Sequence, residues 1–178
     1  MTGRFIVLEG GEGVGKTTQA ALLSAWFTAL GVDHILAREP GGTPVGEIIR
    51  EVVLGRTDLE MPPETELFLI LAARAAFVRD IVRPALEAGK VVLADRFALS
   101  TLAYQGYGRG LALDEVREAV SLATGGLGPD LYVVLDLPAE EGAHRQLKEG
   151  KVRDRIESEG VGFMERIRSA CSARVRSR

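Results

Sequence analysis

Phe5-Ile6-Val7-Leu8-Glu9-Gly10-Gly11-Glu12-Gly13-Val14-Gly15-Lys16-Thr17-Thr18 joins a short apolar run to a glycine-rich loop and to the start of a segment with helical periodicity. The spacing of Gly10, Gly15, Lys16 and Thr17 is that of a phosphate loop. In such a loop, backbone N–H groups cradle phosphate oxygens, the lysine neutralises the terminal phosphates, and the hydroxyl ligates Mg²⁺. Glycines let the backbone approach the anion closely, and the following helix points its positive end at it. The stretch predicts strand, loop and helix, with Gly10, Gly11, Glu12, Gly13, Val14, Gly15, Lys16, Thr17 and Thr18 as the residues that bind a nucleoside triphosphate.

Outward from this loop, apolar runs and breakers alternate. Leu22, Leu23, Trp26, Phe27 and Leu30 recur at helical spacing before Gly31. A second strand, His34 to Ala37, runs into Arg38-Glu39-Pro40-Gly41-Gly42-Thr43, where Pro and Gly exclude regular structure. Ile48, Ile49, Val52 and Val53 suggest a helix, and Glu64 to about Val82 reads as a long, very apolar one carrying Arg74. Its apolarity exceeds what one core needs, so either burial within the chain or a homodimer interface is expected there. Val91 to Ala94 and Leu131 to Leu135 are the third and fourth strands, separated by a helix over 114–124.

Continuous apolar strands alternating with helices indicate a parallel sheet covered on both faces. The expected fold is α/β, a P-loop NTPase three-layer sandwich with about four recognisable strands. Right-handed crossovers bring the residues after every strand to one edge of the sheet, where open α/β sheets bind ligands. The polar clusters of the sequence therefore converge on that edge.

With 178 residues, 46% of them hydrophobic, the chain is expected to form one domain around one core. The sequence shows no signal peptide and no apolar run long enough to cross a membrane, which points to a cytoplasmic protein without a membrane partner. Cys171, the one cysteine, cannot form an internal disulfide. A net charge of −3 argues against an electrostatic trap for nucleic acid.

The convergent edge carries more cationic groups than one triphosphate needs. Arg38 and Arg96 follow two other strands, and arginine's planar fork suits bidentate contact with phosphate. Each also has an acidic neighbour, Glu39 or Asp95, so a phosphate clamp and a structural ion pair are both open. A basic run, Arg145, Lys148, Lys151, Arg153 and Arg155, follows the fourth strand, with Gly150 as a pivot. Its position favours a lid over about 142–157 that closes on the phosphates. Two phosphate sites imply phosphoryl transfer between nucleotides, which rests on positioning and charge neutralisation. A phosphate acceptor is mostly ionised at neutral pH, so no general base is required. His34 and His144 are isolated and read as structural or surface residues.

The chain closely resembles the thymidylate kinases from about Phe5 to about Glu157. The resemblance rests on the loop 10–18, Arg-Glu-Pro-Gly-Gly-Thr at 38–43, Ala-Ala-Arg at 72–74, Asp-Arg-Phe at 95–97 followed by Ser100-Thr101 and Ala103-Tyr104-Gln105-Gly106, and Asp-Arg-Ile-Glu at 154–157. It implies transfer of the ATP γ-phosphate to dTMP with Mg²⁺ held by Thr17 and Asp95. Arg38 and Arg96 would hold the acceptor phosphate, with Pro40 and Asp95 beside it. Ile70, Arg74, Ser100, Thr101 and Gln105 would surround the base, and Tyr104 would lie under the sugar. Glu12 would be repelled by the triphosphate and so would meet the sugar 3′-hydroxyl. An acidic residue at this loop position resembles the bacterial type, whose catalytic cations come from the lid. Lys16 and Arg96 would then act with Arg145, Lys148, Arg153 and Arg155.

Three departures qualify the match. Ile70 stands where the family has an aromatic base stacker, and Phe68 lies half a helical turn away. Lys148 and Glu149 stand where relatives tend to carry arginine, and a lysine cannot make a bidentate contact. No strand-like run follows Leu135, so the usual last edge strand is expected to be missing. Two other readings remain: a nucleoside kinase using Glu9 or Asp95 as base, and an ATP-binding module without turnover.

Overall fold

The computed structural model describes residues 3–148, 150 and 154–176, with side chains through residue 172. Four parallel strands, β1 (Arg4–Gly10), β2 (His34–Arg38), β3 (Val91–Asp95) and β4 (Leu131–Leu135), are ordered β2-β3-β1-β4. The four expected strands are thus present, each within two or three residues of its expected ends, and β4 is an edge among the described residues. No described helix is long and apolar enough to cross a membrane.

Alternation along the central strands builds two apolar layers. Phe5 and Val7 of β1, with Val92 and Ala94 of β3, face Phe77, Val78, Val82 and Phe97. The intervening Leu8 and Leu93 face the other way, against Ala20 and Leu23. Successive side chains of a strand point to opposite faces, so each central strand is apolar throughout. Helix α1 (Lys16–Ala29) covers one face, while α3 (Pro63–Phe77) and α4 (Arg83–Glu87) cover the other.

The helix expected over about 64–82 is instead α3 followed by a widened, π-helical turn at Val78–Val82, then α4. Pro84 has no N–H to donate back to residue 80, and the widening falls where that bond is lost. The helix suggested around Ile48 is α2 (Pro44–Arg50) with a similar widened turn, Glu51–Gly55, and Thr43 caps it by accepting from the Gly46 N–H at 3.0 Å. After β3 come α5 (Ala98–Thr101), a widened turn at Leu102–Gly108, and α6 (Leu113–Thr124). The chain then passes through β4, α7 (Ala139–Lys148) and α8 (Val161–Arg176). Phe163, Ile167, Ala170 and Cys171 of α8 seal a further apolar cluster with Val53, Ile70 and Tyr104.

Phe77 is fully buried between β1 and β3 and its neighbours have no room to collapse. Phe77→Ala should destabilise the fold by about 3–5 kcal/mol. Urea denaturation is the check, and a loss below about 1 kcal/mol would show that this face is not close-packed.

Candidate active site at the carboxyl edge of the sheet

Register sets the geometry. Asp95 is level with Leu8 on β1 and with Arg38 on β2, so Glu9, Arg96 and Glu39 follow side by side at the carboxyl edge. A cavity of about 1030 Å³ opens there, lined from the phosphate loop (Gly13, Lys16, Thr17) to Ile70, Tyr104 and Gln105.

Glu9 ties the two central strands together past their ends. Its buried carboxylate accepts from Phe97 N–H at 2.9 Å, Ser100 N–H at 3.1 Å and Ser100 Oγ at 2.6 Å. Burial raises its pKa, against the opposing pull of Arg96 and of these hydrogen bonds. Between Glu9 and Ser100, Arg96 adopts φ 75°, a left-handed conformation unusual for a residue with a side chain. Such strain persists where the surroundings over-determine it. Arg96 donates to Gly10 O and to Ser100 Oγ, each at 3.0 Å, and to Glu12. Its guanidinium also lies 5.1 Å from the Tyr104 ring centre. The Tyr104 hydroxyl donates to Glu12 at 3.0 Å.

Arg74 is a brace along one wall of the cavity. Only 2% exposed, it donates from Nε to Glu39 at 2.7 Å, from Nη1 to Thr101 Oγ1 at 2.7 Å, and from Nη2 to Phe97 O at 3.0 Å. The other Glu39 oxygen is buried without a partner among the described residues. Burial, opposed by Arg74, pushes the Glu39 carboxyl up to about 7. Ile70 is buried and lines the cavity, whereas Phe68 is 65% exposed and does not. The position of the expected aromatic stacker is therefore aliphatic here.

At the donor end, the Lys16 ammonium is buried and donates to Gly11 O at 2.5 Å. Burial and the Arg96 charge pull it down to about 8, despite Glu12 and Asp95. Thr17 Oγ1 donates to Asp95 Oδ2 at 2.7 Å, so a hydroxyl and a carboxylate suited to Mg²⁺ lie together at the mouth of the loop. Gly13 is pressed against α7: a Cβ there would lie 2.2 Å from Gly142 O, and one on Gly142 would lie 2.2 Å from Glu12 O. The helix that opens the lid segment is thus seated directly on the phosphate loop, a contact only two glycines permit.

The arginines divide by partner. Arg38 pairs with Glu47 at 3.2 Å, not with Glu39, and Arg96 pairs with Glu12, not with Asp95. Both line the cavity. Arg145 also lines it, and its exposed pair with Glu141 at 3.0 Å is a weak restraint. Lys148 is exposed and is not among the lining residues. Arg155, expected to reach the transferring phosphate, instead donates to Val53 O at 2.8 Å and to Glu66, because a fully buried carboxylate draws in cations. Arg153 lies outside the described residues. Cys171 is buried and its thiol is pushed up to about 12 by that burial, and His34 is held by Ser24 at 2.7 Å and Val32 O at 2.9 Å.

Three residues belong to the site or to its support in roles that the sequence did not indicate. Arg50 lines the cavity and donates to Pro40 O at 2.9 Å. Its pKa is lowered by burial and by Arg38 and Arg96, which marks three cations sharing one space. Glu39 and Glu66 are the others. A carboxylate within an apolar run, as Glu66 is within α3, is itself a signal of a buried partner.

A family model described as thymidylate kinase matches residues 8–176. The thymidylate kinase of Pseudomonas fluorescens (strain Pf0-1) is 49% identical over 170 residues, which is 96% of this chain and 80% of that protein. The thymidylate kinase of Desulforudis audaxviator (strain MP104C) is 51% identical over 169 residues, covering 94% of this chain and 76% of that one. Among solved structures, the thymidylate kinase from Ehrlichia chaffeensis matches with a TM-score of 0.79 at 30% identity, covering 99% of this chain and 82% of its own.

The depressed Lys16 ammonium predicts a proton linkage. Polyphosphate beside Nζ favours the charged form, so ATP binding at about pH 9 should take up most of one proton, and near pH 7 almost none. Calorimetry in buffers of different ionisation enthalpy reads this directly. Heats at pH 9 that do not depend on the buffer would refute it.

Proposed function

Because this chain belongs to the thymidylate kinase family and so transfers the γ-phosphate of ATP to dTMP, giving dTDP, we propose a division of labour among its residues. The loop from Gly10 to Thr18 cradles the ATP phosphates, with Lys16 against the terminal ones. Thr17 and Asp95 would hold Mg²⁺, which would supply charge neutralisation on the phosphates. Arg38, Arg50 and Arg96 receive the acceptor phosphate, Glu12 takes the sugar 3′-hydroxyl and Tyr104 lies under the sugar. Ile70, Arg74, Ser100, Thr101 and Gln105 surround the base.

An acceptor phosphate oxygen attacks the γ-phosphorus as the bond to the bridging oxygen of ADP breaks. Charge on the migrating group is met by Lys16 and Arg96, and by lid cations from the segment 142–157. Arg145 is the first of these, since its carboxylate partner is exposed and easily exchanged for a phosphate. Lys148 and Arg153 are further lid cations, and Arg155 anchors the stem of the lid through Glu66. Glu9 is excluded as a base by its complete burial and by the three donors that saturate it. A nucleoside kinase would then be left with Asp95 as its base, the carboxylate assigned here to Mg²⁺ beside Thr17.

The observation that carries the reading is the second cationic cluster, Arg38, Arg50 and Arg96, lining the same cavity as Lys16. If it holds the acceptor phosphate, Arg38→Ala and Arg50→Ala should each raise KM for dTMP about ten- to a hundredfold, from loss of a charged hydrogen bond, while KM for ATP stays within about twofold. Bisubstrate kinetics decide it. A rise in KM for ATP instead would assign these arginines to the donor.

The same proposal includes a cytoplasmic homodimer. Ile48 of α2 and Phe68 of α3 are each 65% exposed on helices that pack together, an apolar surface of the kind that interfaces cover. Sedimentation at micromolar concentration should give the mass of two chains, shifted toward one by Phe68→Glu. A monomer at every concentration would remove the dimer.

A further inference from the structure

Outside the phosphate machinery, the most elaborate buried polar cluster centres on Glu66, in the first turn of α3. Its Oε1 accepts from Gln105 Nε2 at 2.7 Å and from Arg109 Nε at 3.3 Å. Oε2 accepts from Arg109 Nη2 at 3.0 Å and from Arg155 Nη2. Burial pushes this carboxyl up, but the hydrogen bonds from Arg109, Arg155 and Gln105 outweigh it, and the net direction is downward. Glu66 is therefore ionised, and an ionised carboxylate only accepts.

That restriction fixes a side chain in the cavity. A glutamine amide has a donating and an accepting end of nearly equal shape, and only the donating end can face Glu66. Gln105 lines the cavity. Its side-chain carbonyl oxygen has no hydrogen-bond partner among the described residues. The end left for a ligand is thus an acceptor.

We propose that Glu66 is a positioning residue for base specificity: by taking the Gln105 N–H it turns the Gln105 carbonyl toward the acceptor base, where it pairs with the N3–H of thymine or uracil and opposes the bare N3 lone pair of cytosine. The inference rests on the reading above that Gln105 borders the base. Cytosine is refused twice over. Left alone, it meets lone pair against lone pair, and a flipped amide would press its carbonyl against the Glu66 carboxylate. The same carboxylate holds Arg155, so the base reader and the stem of the lid share one anchor.

The test is the ratio of kcat/KM for dTMP over dCMP in wild type, Glu66→Gln, Gln105→Glu and Gln105→Leu. A glutamine at 66 can donate as well as accept, which frees the Gln105 amide to turn; the ratio should fall at least tenfold, with dCMP losing least. Equal losses on both acceptors, leaving the ratio intact, would make Glu66 merely structural and overturn the proposal. Gln105→Glu decides the case even where Glu66→Gln does not fold. The carboxylic acid it introduces gives its O–H to Glu66 and still offers C=O to the base, so the ratio should stay within about threefold of wild type. A fall to the level of Gln105→Leu would mean that an N–H had faced the base, against the proposal. Gln105→Leu isolates the underlying reading: an unchanged ratio there removes Gln105 from the base site altogether, whereas a fall there with none in Glu66→Gln defeats only the role of Glu66.

Discussion

The arrangement of the site depends on one buried carboxylate at the end of β1. Glu9 is still level with Val134 of β4 but lies past the pairing of β1 with β3, and it accepts from the backbone and side chain of residues that follow β3. Strand pairing alone fixes Leu8 opposite Asp95, but it does not fix where the chain goes next. The Glu9 contacts do so: they hold Phe97 and Ser100, and Arg96, between Asp95 and Phe97, takes a left-handed conformation. In that conformation its guanidinium reaches Gly10 O and Glu12 on the phosphate loop. The phosphate loop and Arg96 are thereby tied to each other. Phosphoryl transfer needs that, since its catalysis is mainly placement of charge.

Without nucleotide, so many cations in one cleft would repel one another. Lys16 and Arg50 both register it, each lowered by burial and by Arg96 among its neighbours. The fold supplies carboxylates as provisional partners: Glu47 for Arg38, Glu12 for Arg96, Glu141 for Arg145. They differ in how readily they let go. The pairs of Arg38 and Arg145 are about half exposed, so water shares the load and exchange for a phosphate oxygen costs little. The Arg74–Glu39 and Arg155–Glu66 pairs are buried, and removing either partner would strand a charge. Exposure therefore separates Arg38 and Arg145, whose partners are easily exchanged, from Arg74 and Arg155, which brace the pocket, while Arg96 is mostly buried yet paired with the partly exposed Glu12.

The same distinction explains what could be read from the chain. Strands, phosphate loop and convergent edge were legible because their signals are local: continuous apolar runs, glycines at fixed spacing, Asp95-Arg96 directly after a strand. The partners of the arginines were not. Glu39 and Arg74 are 35 residues apart, Glu66 and Arg155 are 89 apart, and no periodicity connects them. Adjacency even misled, since Glu39 beside Arg38 and Asp95 beside Arg96 suggested pairs that the strand geometry forbids: successive side chains point to opposite faces. Arg50 was hidden because a basic residue at the end of a short helix looks like ordinary charge at the helix terminus. Lys148 and Arg155 read alike as lid cations, although one is exposed and the other buried, because a basic run does not say which of its members has a carboxylate waiting.

In the proposed assignment, Ile70 bears on how the base is recognised. An aromatic ring stacked on a pyrimidine fixes its plane, while an aliphatic side chain supplies apolar contact without that orientation. With an aliphatic residue at this position, the in-plane orientation of the base must come from polar groups held rigidly at its edge. The chain has invested there: Arg74 is fixed by three hydrogen bonds, Thr101 is engaged by Arg74, and Gln105 is engaged by Glu66. Each is anchored from behind by a group separated from it by 23 to 39 residues. A pocket built this way discriminates by donor and acceptor pattern more than by shape, and its selectivity resides in residues such as Glu66 that need not touch the substrate.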